Sequence, residues 1–578
     1  MIKIEPNSID IHFAEHLAKL SGPPERETIY CTALLLSYLR SHGHVCFSVG
    51  EYAGRKLEVL FGERSTVRNL PSFPQWKEHL SGSPVVGSGE ERRPLVFRKE
   101  GSEVYLYRYW RYERLLIADI ERRIRPEREP EDGETDVEEI RLICGGLSAE
   151  SRQIEAVRKA LSRPFCIVSG GPGTGKTAIV TKIVALLLKR NPNCRIALAA
   201  PTGKAAARLK ESILRGKRFL ADSVDASILD LITGETSTVH RLLGVRSKSA
   251  GFRYDNDNRL PVDCLILDEA SMVDLAMMSR LFQALREEAK VVLLGDRNQL
   301  SSVEAGMVFA DICSAKSDSV RAHIVRLTKS HRFDESRGIG RLSRLVLSGE
   351  GEAAYRLLGE AENGDRTIGK VLPSPARFEP FVEEYILPYL KRYFAERSIE
   401  GAFSLFQSHM VLSALKKGPY GADSLNRTIE RLAFDSGLVS RQEENYSGKP
   451  IIVTQNDYRL NLFNGDIGIY WADEKTRRLS VRFETPEGWR DVTPSRMPNH
   501  ETAYAMTVHK SQGSEYDKIV FVLPETEHEL STRELVYTAV TRAKRCVEVW
   551  STHAAFLRAV AGTTQRKSGL TSALSRSL

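Results

Sequence analysis

Apolar positions along this chain follow two alternating patterns. Short, fully apolar runs are separated by longer stretches in which apolar residues recur every three or four positions. Such runs are typical of buried parallel strands, and such stretches are typical of amphipathic helices. The alternation predicts an α/β fold in which helices cover a parallel sheet. The strands predicted for the first sheet are residues 165–169, 195–200, 264–267 and 291–294.

A second α/β pattern begins near residue 327. Its predicted strands are residues 410–414, 518–523 and 546–551. Residues 450–496 have a different character, because short strand-like runs are separated there by turn signals such as Asn464-Gly465. We therefore predict a small β-barrel inserted into a second α/β domain. The strand-like runs of the insertion are residues 451–454, 467–471 and 479–483.

The N-terminal residues, 1–120, are predicted to form a separate and mainly helical domain. Apolar residues at Ile29, Ala33, Leu36 and Leu39 have helical spacing. Near the end of this domain aromatic residues follow one another at alternating positions, which favours one packed strand face over a base-stacking surface. These aromatic residues are Tyr105, Tyr107, Tyr109, Trp110 and Tyr112.

Two polar segments are predicted to lie outside the packed domains. Residues 121–139 hold nine acidic and four basic side chains, so we assign residues 121–145 to a solvated acidic linker. The C-terminal residues, 563–578, are polar and are predicted to be mobile.

Composition narrows the class of protein. The 578 residues are 42% hydrophobic and 27% charged, which is typical of globular proteins and excludes a disordered or fibrous chain. No apolar run approaches the roughly 18 residues of a membrane span, and no secretory signal is visible. The eight cysteines form no C-x-x-C pair, which indicates reduced thiols in a cytoplasmic protein without a zinc or iron–sulfur site. The net charge of +8 permits a nucleic-acid partner without requiring one.

The strongest motif follows the first predicted strand. Residues 170–177 match G-x-x-x-x-G-K-[ST] and precede a helical pattern, which favours a nucleotide-binding loop over an inert turn. The backbone N–H groups of such a loop surround phosphates, Lys176 would reach the β and γ phosphates of ATP, and the Thr177 hydroxyl would bind Mg²⁺. The predicted nucleotide-binding residues are Gly170, Gly171, Pro172, Gly173, Thr174, Gly175, Lys176 and Thr177.

A pair of carboxylates follows another predicted strand. Asp268 and Glu269 come directly after residues 264–267, at the edge of a parallel sheet where ligands bind. Asp268 would hold Mg²⁺ through water, and Glu269 would position or deprotonate the attacking water. Alone, such a pair is typical of the first turn of a helix, whose dipole favours acids. The preceding phosphate loop favours the catalytic interpretation.

These motifs leave kinases, GTPases, transporter ATPases and helicases open. Gln299 follows a further buried strand, where a polar side chain can sense the γ-phosphate. No N-K-x-D motif follows, which argues against a GTPase. Arg332 and Arg542 lie far downstream of the phosphate loop, as expected of arginine fingers that a second domain donates. Singly, each of these arginines is more typical of a protein surface.

In order and spacing the motifs resemble those of the superfamily 1B DNA helicases, and within them the RecD family of exodeoxyribonuclease V alpha subunits. The similarity runs from about residue 147 to residue 578. The narrower resemblance to RecD depends on the short N-terminal segment, on residues 566–570 and on the length of the chain. The segments that carry the resemblance are Gln153, 170–177, 200–206, 238–244, 268–271, 295–300, 331–333, 464–468, 503–515 and 537–544.

The resemblance implies a division into motor domains. Two RecA-like P-loop domains would bind ATP in the cleft between them. The first, 1A, would comprise residues 146–326, and the second, 2A, would comprise residues 327–449 and 497–578. The insertion at 450–496 would be an SH3-like 2B element.

The resemblance also implies a role for each motif residue. Gln153 would read the adenine, and Gln299 would sense the γ-phosphate. Arg332 and Arg542 would be the two fingers, and Glu515 would hold the ribose. Segments that line single-stranded DNA would make phosphate contacts that read no sequence. The residues of those segments are Pro201, Thr202, Thr238, His240, Thr507 and His509. Without the resemblance, a structural role is the more typical interpretation of both histidines.

The implied protein is an ATP-driven helicase that moves 5′→3′ on single-stranded DNA at duplex ends, in a heterotrimer with RecB-like and RecC-like subunits. Residues 1–120 contain no catalytic motif and would dock these subunits. No carboxylate and lysine cluster of the kind found in nucleases is visible, so DNA cleavage would belong to a partner. Two alternatives stay open: a solitary superfamily 1B helicase, and a P-loop ATPase that acts as a scaffold without unwinding.

Overall fold

The computed structural model describes residues 1–125, 135–145, 151–246, 251–359, 367–371, 379–439, 444–457, 459–473, 475–485 and 488–576. Within residues 1–125 the helices are α1 (Ser8–Lys19), α2 (Arg26–Ser41), α3 (Val49–Tyr52), α4 (Phe73–Gly82) and α5 (Tyr107–Arg123). The strands of this N-terminal region are β1 (Ile2–Ile4), β2 (Cys46–Ser48), β3 (Lys56–Phe61), β4 (Arg64–Asn69), β5 (Val86–Gly87), β6 (Leu95–Arg98) and β7 (Glu103–Leu106). They form two sheets, ordered β1-β3-β4 and β2-β7-β6-β5. The sequence analysis did not predict these sheets, because strands of two to six residues leave little periodicity to detect.

The aromatic run near the end of this region spans a strand and a helix. Tyr105 lies in β7 and is fully buried, whereas Tyr107 and the aromatic residues after it belong to α5. The prediction of a single strand face was therefore wrong beyond Leu106. Helical spacing prevails there because Leu116, Ile117 and Ile120 continue an apolar face from the same helix into the core.

The predicted linker does not begin where acidic residues begin. Helix α5 continues to Arg123, whose buried guanidinium donates hydrogen bonds to the carbonyl oxygens of Arg286 and Ala289. A second helix, α6 (Thr135–Ile143), occupies part of the same segment and buries Ile140 and Ile143. Charge density alone was misleading here, because a long arginine side chain can reach backbone acceptors inside the protein. The rest of the predicted linker, residues 126–134, lies outside the described residues.

The first large sheet carries the phosphate loop. Its strands are β8 (Phe165–Gly170), β9 (Ile196–Ala200), β10 (Thr236–Thr238), β11 (Cys264–Leu267), β12 (Lys290–Gly295) and β13 (Ile324–Leu327). All neighbours are parallel in the order β10-β9-β11-β12-β8-β13. The four strands predicted from sequence agree with β8, β9, β11 and β12 to within one residue. We call this sheet and its helices lobe 1.

Helices cover both faces of lobe 1 and leave the carboxyl ends of its strands open. After α6 these helices are α7 (Arg152–Ser162), α8 (Lys176–Arg190), α9 (Gly203–Phe219), α10 (Ala226–Leu231), α11 (Val239–Leu243), α12 (Leu275–Ala284), α13 (Val308–Ser314) and α14 (Asp318–Arg321). A short 3₁₀ helix, Ala270–Met272, follows β11. Helices α7, α8 and α9 bury apolar residues against one face, while α12 and α13, together with α5, pack on the other. The N-terminal region thus shares a core with lobe 1.

The second half of the chain contains two further sheets. Its strands are β14 (Ile368–Val371), β15 (His409–Ser413), β16 (Pro450–Val453), β17 (Ile467–Ala472), β18 (Leu479–Thr485), β19 (Gly488–Val492), β20 (His500–Thr502), β21 (Ala505–Thr507), β22 (Tyr516–Val522) and β23 (Ala543–Trp550). A parallel sheet in the order β14-β23-β22-β15-β21 forms the centre of what we call lobe 2. The prediction of a second α/β domain with a parallel sheet is confirmed.

Helices also cover lobe 2 on both faces. They are α15 (Gly338–Ser348), α16 (Gly351–Gly359), α17 (Glu379–Phe381), α18 (Leu387–Ala395), α19 (Ile399–Ser408), α20 (Ala422–Asp435), α21 (Arg533–Val540) and α22 (His553–Ala561), with a π-helical turn at Val382–Ile386. Two apolar cores, one on each face of the sheet, hold this layer arrangement together. No helix within the described ranges is both long and apolar enough to cross a bilayer.

The insertion is an antiparallel sheet in the order β19-β18-β17-β16-β20. Its pairing continues through β20, six residues beyond the boundary that the sequence predicted at residue 496. Among the described residues no hydrogen-bonded pairing joins β19 to β20, so the sheet is open in this respect and barrel closure stays a prediction. A separate small core, which includes Ile451, Tyr470 and Phe483, lies beneath it.

The C-terminal segment is docked rather than mobile. A final helix, α23 (Leu570–Arg576), lies against α5 and α13 with Leu570 and Leu574 fully buried in the core of lobe 1. Just before it, Gly569 donates its backbone N–H to the Glu113 carboxylate at 2.9 Å. The prediction of a mobile tail was wrong, because two leucines four residues apart suffice to bury one face of a short helix.

Candidate active site

The phosphate loop joins β8 to α8 at the carboxyl end of the lobe 1 sheet. Gly173 and Gly175 have φ values of +76° and +86°, which favour glycine over other residues. A Cβ atom at Gly173 would lie 2.5 Å from the Cβ of Arg332, and one at Gly175 would lie 2.7 Å from Gln153 Nε2. The loop therefore has no room for side chains at these two positions and presents its backbone N–H groups, which is the arrangement that binds phosphate.

Lys176 is held inside the loop. Its Nζ donates hydrogen bonds to the carbonyl oxygens of Gly170 at 2.6 Å and Gly171 at 3.1 Å. Gln153, from α7, donates its side-chain N–H to the carbonyl of Thr174 at 3.1 Å. The ammonium group is thus already positioned next to the loop backbone, where it can exchange carbonyl partners for phosphate oxygens.

The two predicted carboxylates lie together at the end of β11. Asp268 is buried, and burial together with Glu269 raises its pKa to about 6, although Lys176 and a hydrogen bond with Thr177 act in the opposite direction. Glu269 has φ +51°, a strained conformation for a residue with a side chain. Its Oε2 is buried and receives no hydrogen bond from any described residue. The unpartnered Glu269 oxygen suits a catalytic water, and the Asp268 carboxylate beside Thr177 suits a hydrated Mg²⁺.

The loop after β12 connects the two lobes. Asp296 accepts hydrogen bonds from the Tyr537 hydroxyl at 3.0 Å and from Gln299 Nε2 at 3.3 Å. Leu300 donates its backbone N–H to Thr538 Oγ1 at 2.9 Å and accepts a hydrogen bond from Gln512 Nε2 at 2.8 Å. Gln299 is therefore buried at the contact between the lobes, next to the phosphate loop, where a γ-phosphate sensor is expected.

Arg332 approaches the phosphate loop from the segment between β13 and α15. The backbone N–H of its neighbour His331 donates to the Gly173 carbonyl at 2.8 Å. Arg332 Nη2 lies 2.5 Å from Glu515 Oε1, and its Nη1 is buried without a partner among the described residues. Although burial would raise the pKa of Glu515, its hydrogen bond with Arg332 and the positive charges around it hold that pKa below its usual value.

Arg542 lies at the start of β23 in lobe 2. It is 3% exposed, and its guanidinium donates long hydrogen bonds of 3.3 Å to the carbonyls of Thr538 and Ser514. Its positive charge lowers the pKa of Glu515. Both predicted arginine fingers therefore lie near the Glu515 carboxylate. In this structure that carboxylate contacts Arg332, and its contact with a ribose stays a prediction.

The residues predicted to contact DNA lie at the carboxyl ends of both sheets. Thr202 caps α9 and Thr238 caps α11, each through its hydroxyl, at the ends of the adjacent strands β9 and β10. Thr507 ends β21 in lobe 2. His240 is exposed and His509 is half-buried, and burial lowers the pKa of His509 to about 4. Pro201 lies between β9 and Thr202. Their contacts with DNA stay predictions.

Sequence reasoning missed three side chains of this site. Tyr537 and Asp296 lie in motifs that the sequence analysis quoted, but neither received a role. Arg208 lies on α9, with Nη1 4.0 Å from Glu515 Oε1. No spacing signal could have found these contacts, because each joins segments more than 200 residues apart.

The site combines a phosphate loop and a carboxylate pair of lobe 1 with Arg332, which follows β13, and Arg542 of lobe 2. This combination defines a two-lobed P-loop ATPase of the helicase class. Three family models match the chain: an AAA domain at residues 153–305, a UvrD-like helicase C-terminal domain at 502–549, and the N-terminal domain of RecBCD enzyme subunit RecD at 7–105. The chain belongs to the RecD family, so the resemblance inferred from sequence is confirmed.

Two relatives support this assignment over nearly the full length. RecBCD enzyme subunit RecD of Mycolicibacterium smegmatis is 36% identical over 97% of this chain and 96% of that protein. The Haemophilus influenzae protein of the same name is 30% identical over 97% of this chain and 96% of its own length.

The ATP-dependent RecD2 DNA helicase of Deinococcus radiodurans is 32% identical, over 75% of this chain and 52% of that protein. A solved structure of Bacteroides Pif1 bound to ssDNA is 18% identical with a TM-score of 0.38, over 70% of this chain and 92% of that one.

Proposed function

We propose that this chain is an ATP-dependent DNA helicase that moves 5′→3′ and is the motor subunit of a RecBCD-type complex acting on DNA ends. The observation that carries the proposal is the way lobe 2 completes the nucleotide site of lobe 1. Tyr537 and Thr538 bind the loop after β12, and Glu515 holds Arg332 beside the phosphate loop. A site divided between two lobes changes when they move, which is what a translocating motor needs.

Residues of lobe 1 would bind and orient the substrate ATP. The loop N–H groups and Lys176 would hold its phosphates, and Gln153 would contact the adenine. Thr177 and Asp268 would hold Mg²⁺, which neutralises phosphate charge when bound. Glu269, with its unpaired buried oxygen, would orient the attacking water and take up its proton.

Residues at the interface between the lobes would complete hydrolysis. Arg332 and Arg542 would stabilise the charge that develops on the γ-phosphate oxygens. Gln299 would report the presence of the γ-phosphate to lobe 2, since it shares Asp296 with Tyr537. Opening and closing of this contact would then accompany each ATP turnover.

Single-stranded DNA would cross the carboxyl ends of both sheets. The capped helix starts at Thr202 and Thr238 offer backbone N–H groups and hydroxyls, which suit phosphate contacts without sequence preference. Pro201, His240, Thr507 and His509 would line the same path. A neutral His509, whose pKa burial lowers to about 4, would contribute hydrogen bonds rather than charge near neutral pH.

Partners and location belong to the proposal as well. The N-terminal RecD model match at residues 7–105, and near-complete coverage of two RecBCD subunits, favour RecB-like and RecC-like partners over a solitary helicase. Residues 1–120 would contribute the docking surface, and the complex would act on DNA in the cytoplasm. A scaffold without motor activity is the less favoured alternative, because residues of both lobes meet at the phosphate loop.

Partial duplexes with a single 5′ or 3′ single-stranded tail test the motor assignment. We expect ATP-dependent unwinding from the 5′ tail only. Unwinding from the 3′ tail alone would reverse the polarity, and turnover that DNA does not stimulate would favour the scaffold. Co-purification of the chain from its native cells tests the partners, because isolation without other subunits would favour the solitary helicase.

A further inference from the structure

Arg208 links the start of α9 to the group of charged residues around Glu515. Helix α9 begins after Thr202, whose hydroxyl accepts the N–H of Ala205 at 3.2 Å. Arg208 follows on the same helix, about 9 Å along its axis from Thr202 at 1.5 Å per residue. Ala205, Ala206 and Leu209 are buried beneath it, so the helix start and Arg208 move as one body.

The guanidinium of Arg208 faces lobe 2. Its Nη1 lies 4.0 Å from Glu515 Oε1, the same oxygen that lies 2.5 Å from Arg332 Nη2. Glu269 and Arg542 also act electrostatically on Arg208. Among the described residues none accepts a hydrogen bond from it, so its contact with Glu515 is one of charge rather than of directed hydrogen bonds.

Glu515 Oε1 thus interacts with two arginines, Arg208 of α9 and Arg332 of the segment after β13. A displacement of α9 toward lobe 2 strengthens the pull of Arg208 on Glu515 and weakens its hold on Arg332. A displacement away has the opposite effect. Because Arg332 lies against Gly173 of the phosphate loop, its freedom to leave Glu515 decides whether it can turn to a γ-phosphate.

We propose that Arg208 is a positioning residue that, through Glu515, releases Arg332 toward the nucleotide when DNA is seated at the start of α9. This inference rests on the proposed motor function. It also gives Glu515 a different task from ribose binding, since here Glu515 holds Arg332 while the cleft waits for DNA. A displacement of α9 on DNA binding would then move Arg208 as part of the same rigid helix and so couple DNA binding to ATP hydrolysis.

The test uses Arg208→Gln in the full chain, which keeps the stem of the side chain and removes its charge. We expect the DNA-stimulated kcat to fall at least tenfold, with the ATP KM and the affinity for a single-stranded oligonucleotide within twofold of wild type. Arg208→Lys should recover most of the lost turnover, because a charge at 4.0 Å needs no fork geometry. The matched control is Arg215→Gln, on the same helix but exposed and paired with Glu211, which should behave as wild type.

A double variant tests the route through Glu515. Arg208→Gln combined with Glu515→Gln should turn over as Glu515→Gln does alone, because without the Glu515 charge Arg332 is no longer restrained and Arg208 has nothing to act on. A further loss caused by Arg208→Gln in the Glu515→Gln background would overturn the inference, as would normal stimulated turnover in Arg208→Gln. No recovery with lysine would make Arg208 a phosphate contact, and weakened oligonucleotide binding at normal maximal turnover would make it a DNA contact; either result overturns the positioning role.

Two further measurements separate the remaining explanations. A lowered unfolding midpoint of Arg208→Gln with parallel losses of ATP and oligonucleotide binding would show a structural role and overturn the inference. If oligonucleotide changes neither turnover nor ATP affinity in the wild-type chain, the proposed motor function fails and this inference fails with it. A wild-type chain that responds, beside an Arg208→Gln chain that responds equally, rejects this inference alone.

Discussion

The Tyr537 hydroxyl of lobe 2 donates a hydrogen bond to Asp296 Oδ2 of lobe 1 at 3.0 Å. The same hydroxyl would lie 2.8 Å from a Cβ atom on Gly171, so it touches the phosphate loop as well. Burial raises the pKa of Asp296, and the hydrogen bond from Tyr537 lowers it. Tyr537 therefore connects lobe 2 to a buried carboxylate of lobe 1 beside the phosphate loop.

Tyr537→Phe should lower DNA-stimulated turnover about tenfold. Loss of a hydrogen bond to a charged group removes roughly 1.5 kcal/mol or more from the closed arrangement of the lobes. Steady-state ATPase with and without single-stranded DNA measures the effect. Tyr446→Phe is the matched control, because its hydroxyl bonds Glu430 within lobe 2. An equal loss in both variants would contradict a specific role at the cleft.

Lys176→Ala should abolish measurable ATP hydrolysis, a loss of more than about 100-fold, and leave the protein folded. Within the described part of the chain the Lys176 ammonium group donates hydrogen bonds to loop carbonyls, so its removal takes away polar contacts at the site rather than apolar packing. Turnover and thermal unfolding of one preparation measure both effects. Lys189→Ala, at the other end of α8 and paired with Glu139 at the surface, is the control. Normal turnover in folded Lys176→Ala would refute the site.

Arg542→Lys should keep ATP binding and lose DNA-stimulated hydrolysis and unwinding. An arginine finger contributes about 10³–10⁵ in rate, and a lysine cannot reproduce its planar fork. Nucleotide affinity and maximal turnover, measured on the same sample, distinguish catalysis from binding. Arg545→Lys, three residues further along and exposed on β23, should change neither quantity. Weakened affinity at normal maximal turnover would make Arg542 a binding residue only.

ATP hydrolysis should decline as the pH falls through about 6, because protonated Asp268 cannot hold Mg²⁺. The effect on stability has the opposite sign. Burial and Glu269 raise the pKa of Asp268 from 3.8 to about 6, so its ionisation costs stability as the pH rises between those values. Without ligands, Asp268→Asn should therefore stabilise the inactive protein by roughly 1–3 kcal/mol at pH 7.5 and by less at pH 5.

Thermal unfolding of wild type and Asp268→Asn at both pH values measures this difference. A gain of the same size at pH 5 and pH 7.5 would show that Asp268 is not the titrating group. Retained hydrolysis in Asp268→Asn would remove the residue from the metal site.

Leu574→Ala should destabilise the protein by about 2–5 kcal/mol, as expected for a fully buried leucine. Its side chain lies in the core that α5 and lobe 1 share. Chemical denaturation measures the loss, and Ser572→Ala on the exposed side of the same helix is the control. An unchanged midpoint for Leu574→Ala would mean that the C-terminal segment is loose in solution.

The sequence revealed those parts of the fold whose signals are local. Strands β8, β9, β11 and β12 are continuous apolar runs, and the phosphate loop and Asp268 follow them directly. Strand β10, with the polar residues Thr236–Thr238, and strand β13 were missed, because edge strands need less apolar burial. The docked position of α23 was missed too, since its only signal is two leucines in a polar tail.

The same distinction applies to the site. The positions of Lys176, Thr177 and Asp268 at the carboxyl end of one sheet could be predicted, because each directly follows a strand or the phosphate loop in the sequence. The contacts of Arg208 with Glu515 and of Tyr537 with Asp296 depend on how two lobes approach each other. The spacing of apolar residues along the chain holds no information on how the lobes pack together, so these two contacts could be found only in the three-dimensional structure.

The docking of α23 has a consequence for the order in which the molecule is made. The core of lobe 1 includes Leu570 and Leu574, although the other residues of that core precede lobe 2 in the chain. During synthesis lobe 1 therefore exposes part of its apolar interior until α23 has left the ribosome. The Gly569 contact with Glu113 then joins the final segment to the first region. The core of lobe 1 is therefore closed by a helix that follows lobe 2 in the chain.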